Sequence, residues 1–346
     1  MKQKIDLNKK RILVTGSPGF IGANLVERLL SEMDEGLIVS LDNMNDYYDV
    51  ALKEYRLSKI EEQAASSKAE HIFVKGDITD TSCLESLFRE YKFDIVVNLA
   101  AQAGVRYSIE NPDAYIQTNI IGFYNILEMC RHYPVQHLVY ISSSSVYGGN
   151  IEAPFSESHK TDSPRSLYAA TKKTDELLAE SYSSLYGIRA TGLRPFTVYG
   201  PAGRPDMLYF SSVQKLKNGE SLKIYNYGKL KRDFTYIDDI VESIITAMRN
   251  APDNDEKHCV YNIGAGNPID ILDFLIELEA ALKKENILDS DFDINEHIEL
   301  TEMHKGDVVM TYADTGRFEK DFGFKPHTTI PQGLEVFAKW YKEYYV

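Results

Sequence analysis

The segment Arg11-Ile12-Leu13-Val14-Thr15-Gly16-Ser17-Pro18-Gly19-Phe20-Ile21-Gly22 joins a short apolar run to a cluster of glycines, and Leu25, Leu29 and Leu30 follow at helical spacing. A short apolar run ending in glycine reads as a buried parallel strand. The glycines between that strand and the helix permit a tight turn, close backbone approach to a pyrophosphate, and close packing of helix on strand. Free N–H groups and the dipole at the helix start favour an anion. Strand, turn and helix coincide, so Gly16, Gly19, Phe20, Ile21 and Gly22 are read as the dinucleotide-binding turn, whereas isolated glycines would mark only a turn.

Working outward, Leu37-Ile38-Val39-Ser40-Leu41 is a second strand that ends at Asp42. An acid about 20 residues beyond the glycine turn accepts hydrogen bonds from the ribose hydroxyls of adenosine and repels a 2′-phosphate, which favours NAD over NADP; the other reading of Asp42 is a helix cap in a βα loop. Further strands are read at Ile72–Val74, Asp94–Leu99, His137–Ile141 and Ala190–Arg194, with amphipathic helices at Asn119–His132 and Tyr168–Tyr186 between them. Asp77 ends the third strand, where it either reaches the adenine or caps the next helix. This alternation predicts an α/β fold, a doubly wound parallel sheet with its ligand at the strand carboxyl ends. After about Gly200 the alternation loosens. Residues 1–200, with roughly 234–264 returning, are read as the NAD-binding lobe; 201–233 and 265–346 are read as a smaller mixed α/β substrate lobe.

Composition narrows the function. A net charge of -14 disfavours nucleic acid and anionic membranes as partners. Cys83, Cys130 and Cys259 are widely spaced without a C-x-x-C pair, as reduced packing residues of a cytoplasmic protein are. Met1–Lys10 has no apolar signal core, and no apolar run approaches the ~20 residues of a membrane helix.

Tyr168-Ala169-Ala170-Thr171-Lys172 places a phenol and an ammonium at i and i+4, on one helix face. Free tyrosine, with a pKa near ~10, is a poor base at neutral pH. An adjacent ammonium and a positively charged nicotinamide ring both favour the phenolate, which then takes a proton from a sugar hydroxyl while hydride leaves the same carbon. Elsewhere such a pair is an ordinary surface feature. Here it follows the fifth strand of a nucleotide-binding pattern, and Ser142-Ser143-Ser144-Ser145 stands directly after that strand. A hydroxyl there faces the cofactor.

The G-x-x-G-x-x-G turn, Asn98-Leu99-Ala100-Ala101 and the Y-x-x-x-K helix occur in the order found in the extended short-chain dehydrogenase/reductases, which the chain resembles over nearly its whole length. The resemblance implies a Ser143, Tyr168 and Lys172 triad, with Ser142 and Ser145 as neighbouring alternatives. It implies Asn119 as a helper near the lysine and Asn43, Ile78, Leu99, Ala100 and Ala101 as further cofactor contacts. Within the family, Asp42–Tyr48, Ala103–Ser108, Gly200–Met207 and Lys231–Tyr236 resemble the UDP-glucuronate 4-epimerases most. That implies substrate roles for Arg106, Ser144, Thr197, Arg204, Arg232 and Asp307, a UDP-sugar as substrate, and a homodimer through the 111–132 and 168–186 helices. Pro195 and His304-Lys305-Gly306-Asp307 depart from the commonest family forms. The expected reaction is oxidation at C4, rotation of the 4-keto sugar and return of hydride. Resembling dehydratases carry an Asp-Glu pair, and decarboxylases a glutamate, where Ser144 and Ser145 stand. The alternatives are a 4-epimerase of UDP-glucose or UDP-N-acetylglucosamine, a decarboxylase or dehydratase, and a non-catalytic NAD-binding scaffold.

Overall fold

A computed structural model describes residues 2–303 and 307–346, so the His304-Lys305-Gly306 part of the last motif lies outside the described residues. Seven strands form the main sheet: β1 (Lys10–Thr15), β2 (Gly36–Asp42), β3 (Glu70–Lys75), β4 (Ile95–Asn98), β5 (His137–Ile141), β6 (Ala190–Pro195) and β7 (His258–Ile263). Their order is β7-β6-β5-β4-β1-β2-β3, and every adjacent pair is parallel. The chain builds outward from β1 in one direction, then crosses back to β4 and builds in the other. The crevice at the carboxyl ends of β1 and β4 is therefore the switch point where ligands bind.

Burial on both faces explains why these strands read as unbroken apolar runs. Ile12 and Val14 point into one core, with α1 (Phe20–Glu32) and the helix Ile237–Met248, while Leu13 points into the other with Leu84, Phe88 and Phe123. All three β1 side chains are fully buried. The first core continues without a break into the C-terminal part, through Phe210, Phe274, Phe337 and Trp340. There Phe234 stacks on Phe274 with ring centroids 3.8 Å apart. Short pairs, Thr197–Tyr199 with Phe234–Tyr236 and Leu222–Ile224 with Ile298–Leu300, make that part mixed α/β around Leu208–Lys217, Ile271–Lys284 and Ile330–Tyr345.

Two helices stand side by side next to this crevice. One starts at Leu167, where the Ser166 hydroxyl accepts the Ala169 N–H as an N-cap, and ends at Tyr186 before Gly187 in the left-handed conformation. Beside it, Asn119–His132 is not the regular helix its periodicity predicts. Ile116–Gly122 is a π-helical turn leading into Phe123–His132. The local reason is packing: Asn119 is tied sideways to Gln102 and Thr171, and Gly122 lies so close to Ile78 that a Cβ there would sit 2.5 Å from its Cδ1. Extra residues of this kind inside helices concentrate at functional sites.

Behind β5 and β6, Arg194 forms a two-pronged pair with Glu176 at 2.7 and 2.8 Å, both side chains almost fully buried. Burial pushes the Glu176 carboxyl up, but the Arg194 hydrogen bonds and charge outweigh it and hold the group below the usual carboxylate range. Arg194→Met leaves that interior carboxylate with only Lys173 and the Ser142 hydroxyl to answer it. The expected loss in urea unfolding is about 3–5 kcal/mol, whereas breaking an exposed pair such as Lys68–Asp34 leaves the unfolding curve close to the unaltered protein's.

Candidate active site

A cavity of about 880 Å³ opens at the switch point and runs from the glycine turn, past Tyr168, to the C-terminal part. At its floor Gly16 adopts φ +71°. A Cβ on Gly16 would lie 2.7 Å from the Ala100 nitrogen, and one on Gly22 2.3 Å from the Gly16 carbonyl oxygen. Only glycine lets the turn, the β4 end and α1 approach so closely. Phe20, Ile21, Leu99, Ala100 and Ala101 complete this wall, and the Gln102 side-chain amide on the same wall is buried with no partner among the described residues for its Nε2. A shaped glycine cradle and an unspent buried donor fit a dinucleotide.

Asp42 stands at the cavity side of β2. Its Oδ1 accepts the Met44 N–H at 2.6 Å and lies 3.6 Å from Lys53 Nζ. Lys53, which sequence reasoning missed, comes from the first turn of the helix Val50–Ser66, whose Asp49 N-cap was the available signal. Burial lowers its ammonium pKa, and Asp42 opposes that. Asp77 accepts from Asn43 at 2.8 Å and from the Thr79 N–H and hydroxyl, so it holds its own loop, while Asp80 caps the following helix. Ile78 lines the cavity beside it.

Tyr168, Lys172 and Ser143 face the same cavity. The Tyr168 ring packs edge-on against Tyr115, centroids 6.1 Å apart, and Tyr115 donates to the carbonyls of Ala103 and Gly104. No hydrogen bond joins the Tyr168 hydroxyl to another described residue. Lys172 Nζ donates to the Ile141 carbonyl at 2.8 Å and to Asp175 Oδ2 at 3.1 Å. Ser143 caps the short turn Ser144–Tyr147 by accepting the Ser145 N–H, and Ser144 and Ser145 also line the cavity.

Ser142 is a correction to the catalytic alternatives. Its hydroxyl is buried and donates to Glu176 Oε1 at 2.7 Å, on the side of β5 that faces the Arg194 pair. The extended backbone at Ser143 turns its side chain to the cavity side, opposite to that of Ser142. Asn119 likewise does not line the cavity; it accepts from the Gln102 N–H and donates to the Gln102 carbonyl and the Thr171 hydroxyl, so it acts on the wall and the helix that carry the site.

At the far end, Arg106 pairs with Asp307 at 3.5 Å and lies over the Tyr225 ring. Arg232 donates to the carbonyls of Lys231 and Val309 beside them, its pKa lowered by burial against the opposing pull of Asp307. Arg204 is held by both oxygens of Asp206, at 2.9 and 2.8 Å, so much of its charge is answered. Thr197 lines the wall next to Pro195 and Phe196. Arg165, also missed from the sequence, lines the cavity three residues before Tyr168. Its guanidinium rests on Gly149, where a Cβ would be 2.7 Å from Nε, and it has no hydrogen bond or ion pair with a described residue.

The profile of the NAD dependent epimerase/dehydratase family matches residues 12–264. Protein CapI of Staphylococcus aureus is 44% identical over 97% of this chain and 99% of its own length. UDP-glucuronate 4-epimerase 2 of Arabidopsis thaliana is 42% identical over 98% of this chain and 77% of its length. Among solved structures, the UDP-glucuronic acid 4-epimerase of Bacillus cereus in complex with UDP-glucuronic acid and NAD superposes with a TM-score of 0.84 at 31% identity, covering 97% of this chain and 100% of that one. With the sheet order, glycine cradle and Tyr168–Lys172 helix all in place, the chain belongs to the NAD-dependent epimerase/dehydratase family, within the extended short-chain dehydrogenase/reductases.

Proposed function

We propose that the protein is an NAD-dependent nucleotide-sugar 4-epimerase that interconverts UDP-glucuronate and UDP-galacturonate. The observation that carries this reading is the cavity wall around Tyr168: among the described residues, its lining from Ile141 to Lys172 contains hydroxyls and Arg165 but no carboxylate. Elimination of water at C6 needs an added acid and base there. Epimerisation needs neither.

Gly16, Gly22 and the start of α1 hold the cofactor pyrophosphate and Asp42 the adenosine ribose, with Lys53 keeping that acid in place. NAD bound there supplies the hydride acceptor and, on the return, the donor. Tyr168 takes the proton from the C4 hydroxyl as hydride leaves C4, and Lys172 stabilises the phenolate charge. Ser143 donates to the same oxygen. After the 4-keto sugar has turned over, Tyr168 returns the proton as hydride comes back to the opposite face. Arg106, Arg232 and Asp307, in the proposed substrate lobe of 201–233 and 265–346 or facing it, hold the UDP diphosphate and ribose against which the sugar rotates.

A 4-keto uronate is a β-keto acid and loses carbon dioxide when its carboxylate bond aligns with the carbonyl π system. Ser144, Ser145, Thr197, Arg204 and the unpaired Arg165 are read as the groups that hold the carboxylate out of that alignment. Arabidopsis and Rhizobium meliloti relatives named as UDP-glucuronate 4-epimerases support the uronate over neutral sugars.

The same reading makes the protein a cytoplasmic homodimer. Its cysteines are all free, as suits a reducing compartment, and no helix of the described residues is long and apolar enough to cross a membrane. Ile121 and Tyr124 on one helix and Leu177, Leu185 and Tyr186 on the other are 41–69% exposed on adjacent helices, an apolar face suited to a second copy.

Tyr168→Phe is expected to lower turnover of UDP-glucuronate by at least ~10²-fold while NAD stays bound; near-normal turnover removes the phenol from the mechanism. In product analysis by mass spectrometry and NMR, Thr197→Ala and Arg204→Ala shift the ratio from UDP-galacturonate towards UDP-pentose, and an unchanged ratio removes the carboxylate restraint. Light scattering is expected to give the mass of a dimer, and Leu177→Glu with Leu185→Glu that of the 39.3 kDa monomer.

A further inference from the structure

Lys172 has a partner that the proton transfer does not require. Asp175 lies three residues further along the same helix, is 1% exposed, and places Oδ2 3.1 Å from Lys172 Nζ. Its other oxygen is buried with no hydrogen-bond partner among the described residues. A buried carboxylate with one oxygen bare is costly, and here it is offset only by the buried ammonium it faces. Burial, partly offset by Lys172, pushes the Asp175 carboxyl well above the usual range. Apart from Lys172, no described residue bonds to the acid's side chain.

An ammonium has three donors. One goes to the Ile141 carbonyl and one to Asp175, which leaves one for the cavity that Lys172 lines. The neighbouring ionisable groups have other partners. Glu176 is answered by Arg194 from β6 and by Lys173, Tyr140 of β5 bonds to His258, and His258 bonds to Glu180. The stretch Pro112–Gly122 contributes Tyr115, packed on Tyr168. Among the described residues Asp175 is thus the carboxylate that bears on Lys172.

We propose that Asp175 is a positioning residue that aims Lys172 at the cavity and, through its charge, sets how strongly the lysine favours the ionised phenol of Tyr168. This rests on the acid–base role proposed for Tyr168. With Asp175 ionised, the pair is neutral overall and its field at the phenol is weak; with Asp175 neutral, the full ammonium charge acts. Seven residues of helix separate Asp175 from Tyr168, about 10 Å. At that distance one elementary charge in a medium of effective permittivity ~20 moves a titration by about one pH unit.

Asp175→Asn keeps the shape and an oxygen for Nζ but removes the charge. The negative charge lost is the one that Asp175 carries when ionised, and its loss stabilises the phenolate, so the acid limb of the kcat–pH profile is expected to move by up to about one unit to lower pH. The same displacement is expected without turnover, in the ultraviolet phenolate absorbance of the Asp175→Asn protein minus that of the protein also carrying Tyr168→Phe. A shift below about half a unit, or to higher pH, in a folded protein overturns the proposal. Should the asparagine variant not fold, Asp175→Ser, smaller and likewise uncharged, takes its place in both measurements. Full activity of Tyr168→Phe alone sinks the acid–base reading instead, and the two failures are told apart.

Discussion

The rest of the molecule depends on how closely the chain passes itself at the carboxyl ends of β1 and β4. Gly16 sits against the Ala100 backbone with no room for a Cβ, and Gly22 sits against Gly16 in the same way. That approach sets where α1 begins and brings the wall at Leu99–Gln102 beside the turn. From there Asn119 reaches the Gln102 backbone with one side and Thr171 with the other. A single buried amide thus ties this cavity wall to the helix that carries Tyr168 and Lys172. Buried polar links of this kind fix geometry because each leaves an expensive unpaired group when broken.

Electrostatics are arranged locally within an acidic protein. The net charge of -14 would repel an anionic ligand at long range, yet the cavity is lined by Arg106, Arg165, Arg204 and Arg232. Three of them lean on acids, Arg106 and Arg232 on Asp307 and Arg204 on Asp206, which lowers the cost of keeping guanidinium groups in a cleft. Arg165 does not. The same logic recurs at Lys53 with Asp42 and at Lys172 with Asp175. Cations held by acids in this way are aimed and partly discharged.

Much of this was legible in the residue order because the signals are local. Apolar runs broken by glycine give parallel strands, the strand spacing puts Asp42 beside the cofactor turn, and i, i+4 spacing puts Tyr168 and Lys172 on one face. The strand at 137–141 was read to the residue, and the others to within one or two. Side-chain direction at Ser142 was not legible, since adjacent serines differ only in which side of β5 they face, and Glu176 lies 34 residues away. Nor was the π-helical turn at Ile116–Gly122, whose cause is tertiary contact with Gln102, Thr171 and Ile78.

The amino-acid sequence by itself determined the doubly wound α/β sheet, the glycine turn and the tyrosine–lysine helix, because each arises from periodicity or turn chemistry within a few residues. Tertiary structure alone decided which hydroxyls reach the cavity, that Lys53 stands by Asp42, that Arg165 is left unpaired, and that Asp175 confronts Lys172 with one oxygen bare. Those outcomes depend on which distant chains close over each charge, and burial of that kind leaves no mark in local spacing.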